Sequence, residues 1–397
     1  VKQIALNNNN KLRYNKIYMS TPKISVGDNY RLIKLIGKGS FGEVFLVSDK
    51  NGNKYACKVE NNGSKNRLRG ESYIYKRFAA KNLSCVPKFY KYFETPENNL
   101  LVLQLLGKSL DCVFEESNNH IDVGTVMKIG ITIINHLEQI HRMGIIHRDI
   151  KPNNFMFGLN DKSSDLYVMD FGLSKKWYQN KKHIELKTNR SMIGTARYAS
   201  INIHAGSEPS RRDDMESVGY MLVYLIKGSL PWQGLKKKTK DNPIDKIGEK
   251  KMMVNIKTLC DGLPECFYEY INYTRGLQFT EKPDYEYLRN LFINSAKTNK
   301  IEIKYKWDNN YDSSSDSSSK SSSNSRSDPS SDSTSDTNTK IKPKPETKLE
   351  SKPETKLESK PETKLESKPE TKLESKPETK LESKPETKNK NTKLNKK

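Results

Sequence analysis

The stretch His147-Arg148-Asp149-Ile150-Lys151-Pro152-Asn153-Asn154 decides the reading of this chain. A lone Asp in a loop is usually a turn former. Here a carboxylate (Asp149), a cation (Lys151) and an amide (Asn154) are set within one short loop. That spacing suits a reaction in which Asp149 orients a hydroxyl and accepts its proton. Lys151 would neutralise charge building on a transferred group, and Asn154 would hold a metal ion.

Three other stretches complete the constellation. Upstream lies Gly37-Lys38-Gly39-Ser40-Phe41-Gly42-Glu43-Val44, whose glycines would let backbone amides approach phosphate oxygens. Alone, this pattern is as consistent with a plain glycine-rich hairpin. Its flanks, Tyr30–Ile36 and Glu43–Ser48, alternate in polarity and read as two strands. A dinucleotide-binding loop would instead join a strand to a helix. In Tyr55-Ala56-Cys57-Lys58-Val59, Lys58 sits inside an apolar third strand. A lone Lys there commonly packs its stem and sends its amine to solvent. Otherwise its charge needs a partner, and Glu71 on the helix predicted over 66–80 is the candidate. Finally, Asp170-Phe171-Gly172 follows the apolar strand Leu166–Met169. Asp170 would coordinate Mg²⁺ bridging nucleotide phosphates. In this order the four elements supply a phosphate clamp, a cation, a base and two metal ligands. They predict ATP-dependent phosphoryl transfer, and the resemblance of this loop to that of protein kinases implies a Ser or Thr acceptor, since tyrosine kinases seldom place Lys at the position of Lys151.

The remaining pattern predicts an α+β chain with two unequal lobes. Leu100–Leu105 reads as a buried strand that completes a small sheet. Helical periodicity follows over 123–143, with Val126, Ile129, Ile133, Leu137 and Ile140 on one side and Gly144 as a stop. Further helices are predicted over 211–227, 264–275 and 284–295. The domain is expected over 30–305, with a bilobal fold of β-rich first lobe and mainly helical second lobe. Residues 1–29 read as a flexible leader and 306–343 as a Ser/Asp-rich disordered linker. Residues 344–397 read as a disordered tail, in which KPETKLES recurs five times from Lys344 to Ser383.

The 397 residues carry a net charge of +22 and only 34% hydrophobic side chains. Residues 311–339 contribute about −3 and 340–397 about +7, which leaves about +18 on residues 1–310, mostly the foldable part. Such a domain attracts anions, and the charge alone leaves open solubility, acidic proteins or nucleic acid. No nucleic-acid motif with interleaved aromatics is present, so nucleic acid is not the expected partner. The five cysteines form no CxxC pair, which argues against a zinc site or disulfide scaffold and for a reduced, intracellular setting, cytoplasmic or nuclear. No apolar run of membrane-spanning length and no secretory core are found, and a monomer is expected.

Over residues 30–305 the chain closely resembles the casein kinase I family of protein serine/threonine kinases. The resemblance rests on Gly194-Thr195-Ala196-Arg197-Tyr198-Ala199-Ser200-Ile201-Asn202, Ser210-Arg211-Arg212-Asp213-Asp214-Met215-Glu216-Ser217, Gly228-Ser229-Leu230-Pro231-Trp232-Gln233-Gly234-Leu235 and Lys282-Pro283-Asp284-Tyr285. It implies ATP between the lobes, with Leu103 as gatekeeper, Gln104–Leu106 as hinge, and Ile36, Val44, Ala56 and Met156 around the base. Asp214 would brace the catalytic loop. The resemblance further implies acceptors with an acidic or phosphorylated residue three positions before the Ser or Thr. Arg190, Arg197 and Lys240 would bind that anion. Pro243 falls where a further anion-binding Lys is expected, and Cys112 stands near a position that is often acidic. Constitutive activity is implied, without an activation-loop phosphate. Asp312/Ser315, Asp316/Ser319, Asp328/Ser331 and Asp332/Ser335 match the substrate rule and suggest autophosphorylation of the tail, whereas a spacer tail with chance spacing is the alternative. A nucleotide-binding scaffold is the competing function, and the intact Lys58, Asp149, Asn154 and Asp170 argue against it.

Overall fold

The computed structural model describes residues 29–39, 42–62, 67–235 and 243–308. Ser40, Phe41, Lys240, most of the leader and residues 309–397 lie outside the described residues. Lys306–Asp308, expected at the start of the disordered linker, instead form a short 3-10 helix, with Trp307 stacked on Tyr305 at 5.1 Å and edge-on to Phe157.

The first lobe is built from β1 (Arg31–Gly39), β2 (Gly42–Ser48), β3 (Lys54–Asn61), helix α1 (Arg67–Ala79), β4 (Phe89–Glu94) and β5 (Asn98–Gln104). The strands form one antiparallel sheet in the order β1-β2-β3-β5-β4. Side-chain alternation divides the sheet. Phe45, Val47, Cys57, Val59, Leu100 and Val102 make a core on one face. Leu101 and Leu103 turn to the other and join Leu68, Ile74, Tyr75 and Phe78 of α1. β5 is therefore covered on both faces, which is why it reads as a continuous apolar run. The same alternation sends Ala56 and Lys58 of β3 toward the space between the lobes. β4 escaped the sequence reading because a register shift between Phe89 and Lys91 interrupts its period.

The second lobe contains α2 (Leu110–Glu116), α3 (Val123–Arg142), β6 (Ile145–Ile146), β7 (Phe155–Phe157), β8 (Leu166–Val168), β9 (Lys175–Lys176), β10 (Tyr178–Gln179) and β11 (Lys182–His183). It continues with α4 (Ile201–His204), α5 (Arg211–Lys227), α6 (Pro243–Met253), α7 (Ile256–Leu259), α8 (Glu265–Gly276) and α9 (Tyr285–Thr298). The predicted apolar stripe of α3 is fully buried at Val126, Ile129, Ile133, Leu137 and Ile140. Asp122 caps its start by accepting from the Thr125 N–H at 3.0 Å. Gly144, at φ 77°, supplies the left-handed turn that sends the chain into β6. α5 runs through the middle of the lobe between α3 and α8, with Met215, Val218, Tyr220, Met221, Leu222 and Val223 fully buried. The short α2, α4, α6 and α7 offer too few turns for a helical period to stand out in sequence.

Antiparallel pairs β6–β9 and β7–β8 hold the loop 147–154 between them and place Asp170 just beyond β8. All five cysteines are buried, and none is in a disulfide. Burial pushes the thiols of Cys57, Cys85 and Cys260 up to about 12 and that of Cys266 to about 11. Among the described residues, no helix is long and apolar enough to cross a membrane.

Two glycines test this packing in opposite directions. A Cβ on Gly219 of α5 would lie 2.8 Å from Cγ1 of Ile271 and 3.0 Å from Cδ1 of Tyr270. Gly219→Ala should therefore destabilise the domain by about 1–3 kcal/mol through overpacking. A Cβ on Gly70 of α1 would meet nothing within 4 Å. Gly70→Ala should stabilise by about 0.5–1 kcal/mol through helix propensity. Urea unfolding of both variants against the parent protein measures the two signs.

Candidate active site

The site is organised from the start of α5. The Ser210 N–H donates to Asp213 at 2.7 Å, which fixes the first turn. The next side chain, Asp214, points into the core at 2% exposure. Its Oδ2 accepts from the His147 N–H at 2.7 Å and from His141 Nε2 at 2.9 Å, and its Oδ1 accepts from the Arg148 N–H at 2.8 Å. Burial works against this charge, but the bonds from His141 and the His147 amide outweigh it and hold the carboxyl below its ordinary value. Arg148 is thereby kept at φ 69°, in the left-handed region that non-glycine residues avoid. Its Nε donates to the Leu173 carbonyl at 2.6 Å, which ties the loop to the segment after Gly172.

Asp149 follows at 4% exposure. Thr195 Oγ1 donates to its Oδ1 at 2.7 Å, and Lys151 Nζ to its Oδ2 at 2.6 Å. The amide nitrogen of Asn154 donates to the Asp149 carbonyl oxygen at 2.8 Å. The sequence had grouped Asp149, Lys151 and Asn154, and the structure brings them together. Thr195, 46 positions downstream, entered the reading only within the resemblance motif.

Across the cleft, Lys58 Nζ lies 2.7 Å from Glu71 Oε2 and 2.8 Å from Asp170 Oδ1. The partner proposed from sequence is the partner found. Burial would lower the Lys58 ammonium, but the Asp170 and Glu71 carboxylates overcome this and raise it. Burial likewise opposes charge on Asp170, and Lys58 holds that carboxyl below its usual range. Asp170 sits at φ 64°, with its N–H bonded to the Tyr75 hydroxyl at 3.3 Å. Phe171 points the other way, with ring centroids 5.3 Å from Tyr75, 5.0 Å from Phe78 and 5.1 Å from His147. One aromatic cluster thus connects α1 to the loop of Asp149.

Between the lobes is a cavity lined by Ile36, Gly37, Gly39, Gly42, Val44, Ala56, Lys58, Glu71, Leu103, Gln104, Leu106, Lys151, Asn154, Met156 and Asp170. These are the described members of the predicted nucleotide and metal sets together with Glu71 and Lys151 of the predicted catalytic set, and Asp149 is bonded to Lys151 and Asn154. Leu105 of the expected hinge lines it too, as do Lys38, Tyr75, Pro87, Asn153 and Met169, which were not predicted as site residues. Tyr75 was signalled by its spacing one turn beyond Glu71 on α1. Gly42 has a steric requirement: φ is 140°, and a Cβ would lie 2.1 Å from the Val59 carbonyl oxygen.

The donor set fits a hard cation. Asn154 commits its amide nitrogen to Asp149, which leaves its oxygen as the end able to face a metal. With the Asp170 carboxylate this makes two oxygen ligands, the number Mg²⁺ takes when phosphates and water fill the other positions.

The three residues predicted to bind a substrate anion occupy different settings. Lys240 lies outside the described residues. The Arg197 guanidinium lies 5.2 Å from the Tyr224 ring centroid and 5.7 Å from that of Tyr198. Arg190 is half exposed and reaches Glu208 Oε2 at 3.5 Å. Glu208, at 1% exposure, also meets Lys175 at 2.8 Å and Arg148 at 4.0 Å.

The family model of the protein kinase domain matches residues 30–274, from the first strand to the last turns of α8. α9 lies beyond that match yet packs on α3 and α8, with Leu288 and Phe292 fully buried. The glycine loop, the Lys58–Glu71 pair, the loop of Asp149 and the carboxylate of Asp170 all fall inside the matched span, and the chain belongs to the protein kinase family.

Proposed function

We propose that this kinase phosphorylates Ser and Thr in acidic or phosphorylated segments, in the manner of the casein kinase I enzymes it resembles, using Mg²⁺ and needing no prior activation. The observation that carries the catalytic part is Asp149, held by Thr195, Lys151 and Asn154 beside a cleft closed by the Lys58–Glu71–Asp170 cluster.

Bound Mg²⁺ would neutralise phosphate oxygens, held by Asp170 and the Asn154 side-chain oxygen. Lys58, oriented by Glu71, would pair with the α- and β-phosphates. The glycine loop would cover them with amide N–H groups. Ile36, Val44, Ala56, Leu103 and Met156 would enclose the base, with Leu106 offering backbone bonds at the hinge. Asp149 would accept a bond from the acceptor hydroxyl and take its proton as the oxygen attacks the γ-phosphorus. The bond to the β-phosphate oxygen then breaks and ADP leaves. Lys151 would balance charge on the moving phosphoryl group.

The likeness to casein kinase I is supported by how two of its matching stretches, 194–202 and 210–217, meet. Ser200 donates to Asp213, and the Ile201 N–H donates to Glu216 Oε1 at 3.0 Å. Thr195, from the same stretch as Ser200, contacts Asp149. Acceptor preference is supported by the basic surface and by Arg197, whose planar fork suits carboxylate or phosphate. Activity without an activation-loop phosphate is supported by Glu208. Its buried carboxylate already supplies the countercharge for Arg148, Lys175 and Arg190. The Asp/Ser pairs between 312 and 335 follow the same acceptor rule and are proposed sites of autophosphorylation.

Asp149→Asn should lower phosphate transfer to casein by about 10²–10⁴-fold while nucleotide affinity is kept. Equal transfer by both proteins would sink the assigned mechanism. Arg197→Gln should raise KM for an acidic acceptor peptide by about tenfold and leave a peptide without acidic residues unaffected. Phosphatase-treated wild type should keep its activity, whereas Glu208→Gln should lose most of it. Activity that disappears on phosphatase treatment would contradict the proposal. Phosphosite mapping after incubation with ATP should find the Asp/Ser pairs; sites confined to the KPETKLES repeats would exclude the tail assignment.

A further inference from the structure

α6 is turned inside out at its end. Met252 and Met253 are 56% and 79% exposed, while the neighbouring Lys251 is 0% exposed. Burying an ammonium is costly unless it is fully bonded, and a methionine from the next position would fill the same volume without that cost. The box around Lys251 shows what the charge obtains. Nζ donates to the Ala196 carbonyl at 2.9 Å and to the Ala199 carbonyl. It lies 4.9 Å from the ring centroid of Tyr220 and 5.1 Å from that of Trp232. Two carbonyls and two aromatic faces suit a cation.

Those carbonyls belong to the stretch Thr195–Ala199, and their neighbours are held from other elements. Trp232 Nε1 donates to the Arg197 carbonyl at 2.7 Å, and His204 Nε2 meets the Ala196 carbonyl at 3.1 Å. The stretch is thus gathered by its carbonyls around one buried cation. Its N-terminal end presents Thr195 to Asp149, and its middle presents Arg197.

We infer that Lys251 is a positioning residue for the acceptor: by drawing the Ala196 and Ala199 carbonyls together, it sets Thr195 against Asp149 and orients Arg197 for an acidic substrate segment. The inference rests on the reading of 194–202 as the acceptor-facing stretch. The groups facing Lys251 are Glu216 and Tyr220 of α5, Arg275 of α8, His204 of α4 and the Trp232 indole. Burial, only partly offset by Glu216 and reinforced by Arg275, brings its amine down to about 7. The proton that strengthens both carbonyl bonds is therefore lost as pH rises through neutrality.

The test uses the full-length protein, an unphosphorylated Asp-rich Ser peptide and ATP. Lys251→Met should raise the peptide KM by at least about tenfold, the loss of charge-assisted bonds, with the KM for ATP within about twofold. Its melting temperature should stay within a few degrees of wild type. In the wild type, peptide KM should rise between about pH 6 and about pH 8.5, while the variant stays flat. An unchanged peptide KM in Lys251→Met would overturn the inference. So would a lower kcat with both KM values intact and a lowered melting temperature, which marks support of the fold alone. Should the variant fail to fold, a flat wild-type peptide KM across the same pH range would still refute it, and a rising one would support it. Failure of the acceptor assignment itself would look different: the wild type would transfer no phosphate to the peptide at any pH, and both readings would fall.

Discussion

The carboxylate of Asp214 is the constraint on which the active site depends. It is buried beneath the loop it organises, and it takes two consecutive backbone amides, of His147 and Arg148, that no strand or helix satisfies. Unpaired buried N–H groups are expensive, so the loop has one comfortable path over this carboxylate. That path forces Arg148 into a left-handed conformation and presents Asp149 next in line. His141 and Tyr285 extend the network into α3 and α9, with His141 Nδ1 lying 2.8 Å from the Tyr285 hydroxyl. α5, buried along nearly its whole length, is thereby coupled to the loop that carries Asp149.

The first lobe contributes through a different kind of bond. Lys58 is held by carboxylates from two places, Glu71 on α1 and Asp170 beyond β8. The lysine is satisfied only when helix, sheet and the segment after β8 are together. Phe171 reinforces the arrangement from the opposite side, packed among Tyr75, Phe78 and His147. Polar and apolar contacts emanating from adjacent residues, Asp170 and Phe171, thus report on the same alignment of lobes. A metal ion would draw on Asp170 as well, so nucleotide entry would redistribute its charge between Lys58 and the cation.

Much of this was legible in the sequence, for identifiable reasons. Long helices such as α3 and α5, and the strands flanking the glycine turn, carry enough residues for periodicity to appear. The residues that meet at the cleft were legible because the motifs set particular chemical groups at particular separations. β4 was not, since its bulge breaks the alternation, and α2, α4, α6 and α7 were too short. Contacts that bring remote segments together were illegible for a deeper reason. Nothing in the local sequence links Thr195 with Asp149, or Lys251 with the carbonyls of Ala196 and Ala199. Backbone carbonyls exist at every residue and leave no mark in sequence. The surroundings of Arg190 are of the same kind: only the fold places its guanidinium beside the buried Glu208.

The burial of the five cysteines bears on how the enzyme meets its chemical surroundings. Cys57 is next to Lys58 in β3, and a thiol pushed up to about 12 is almost wholly protonated at neutral pH. It is the thiolate that attacks peroxides and electrophilic reagents, so such a thiol reacts slowly even where a reagent could reach it. The strand that carries the nucleotide-facing lysine is in this sense chemically silent. Oxidative conditions that switch other enzymes through exposed, acidic cysteines would pass over this one, and covalent ligands aimed at its cleft would find no ready nucleophile in Cys57.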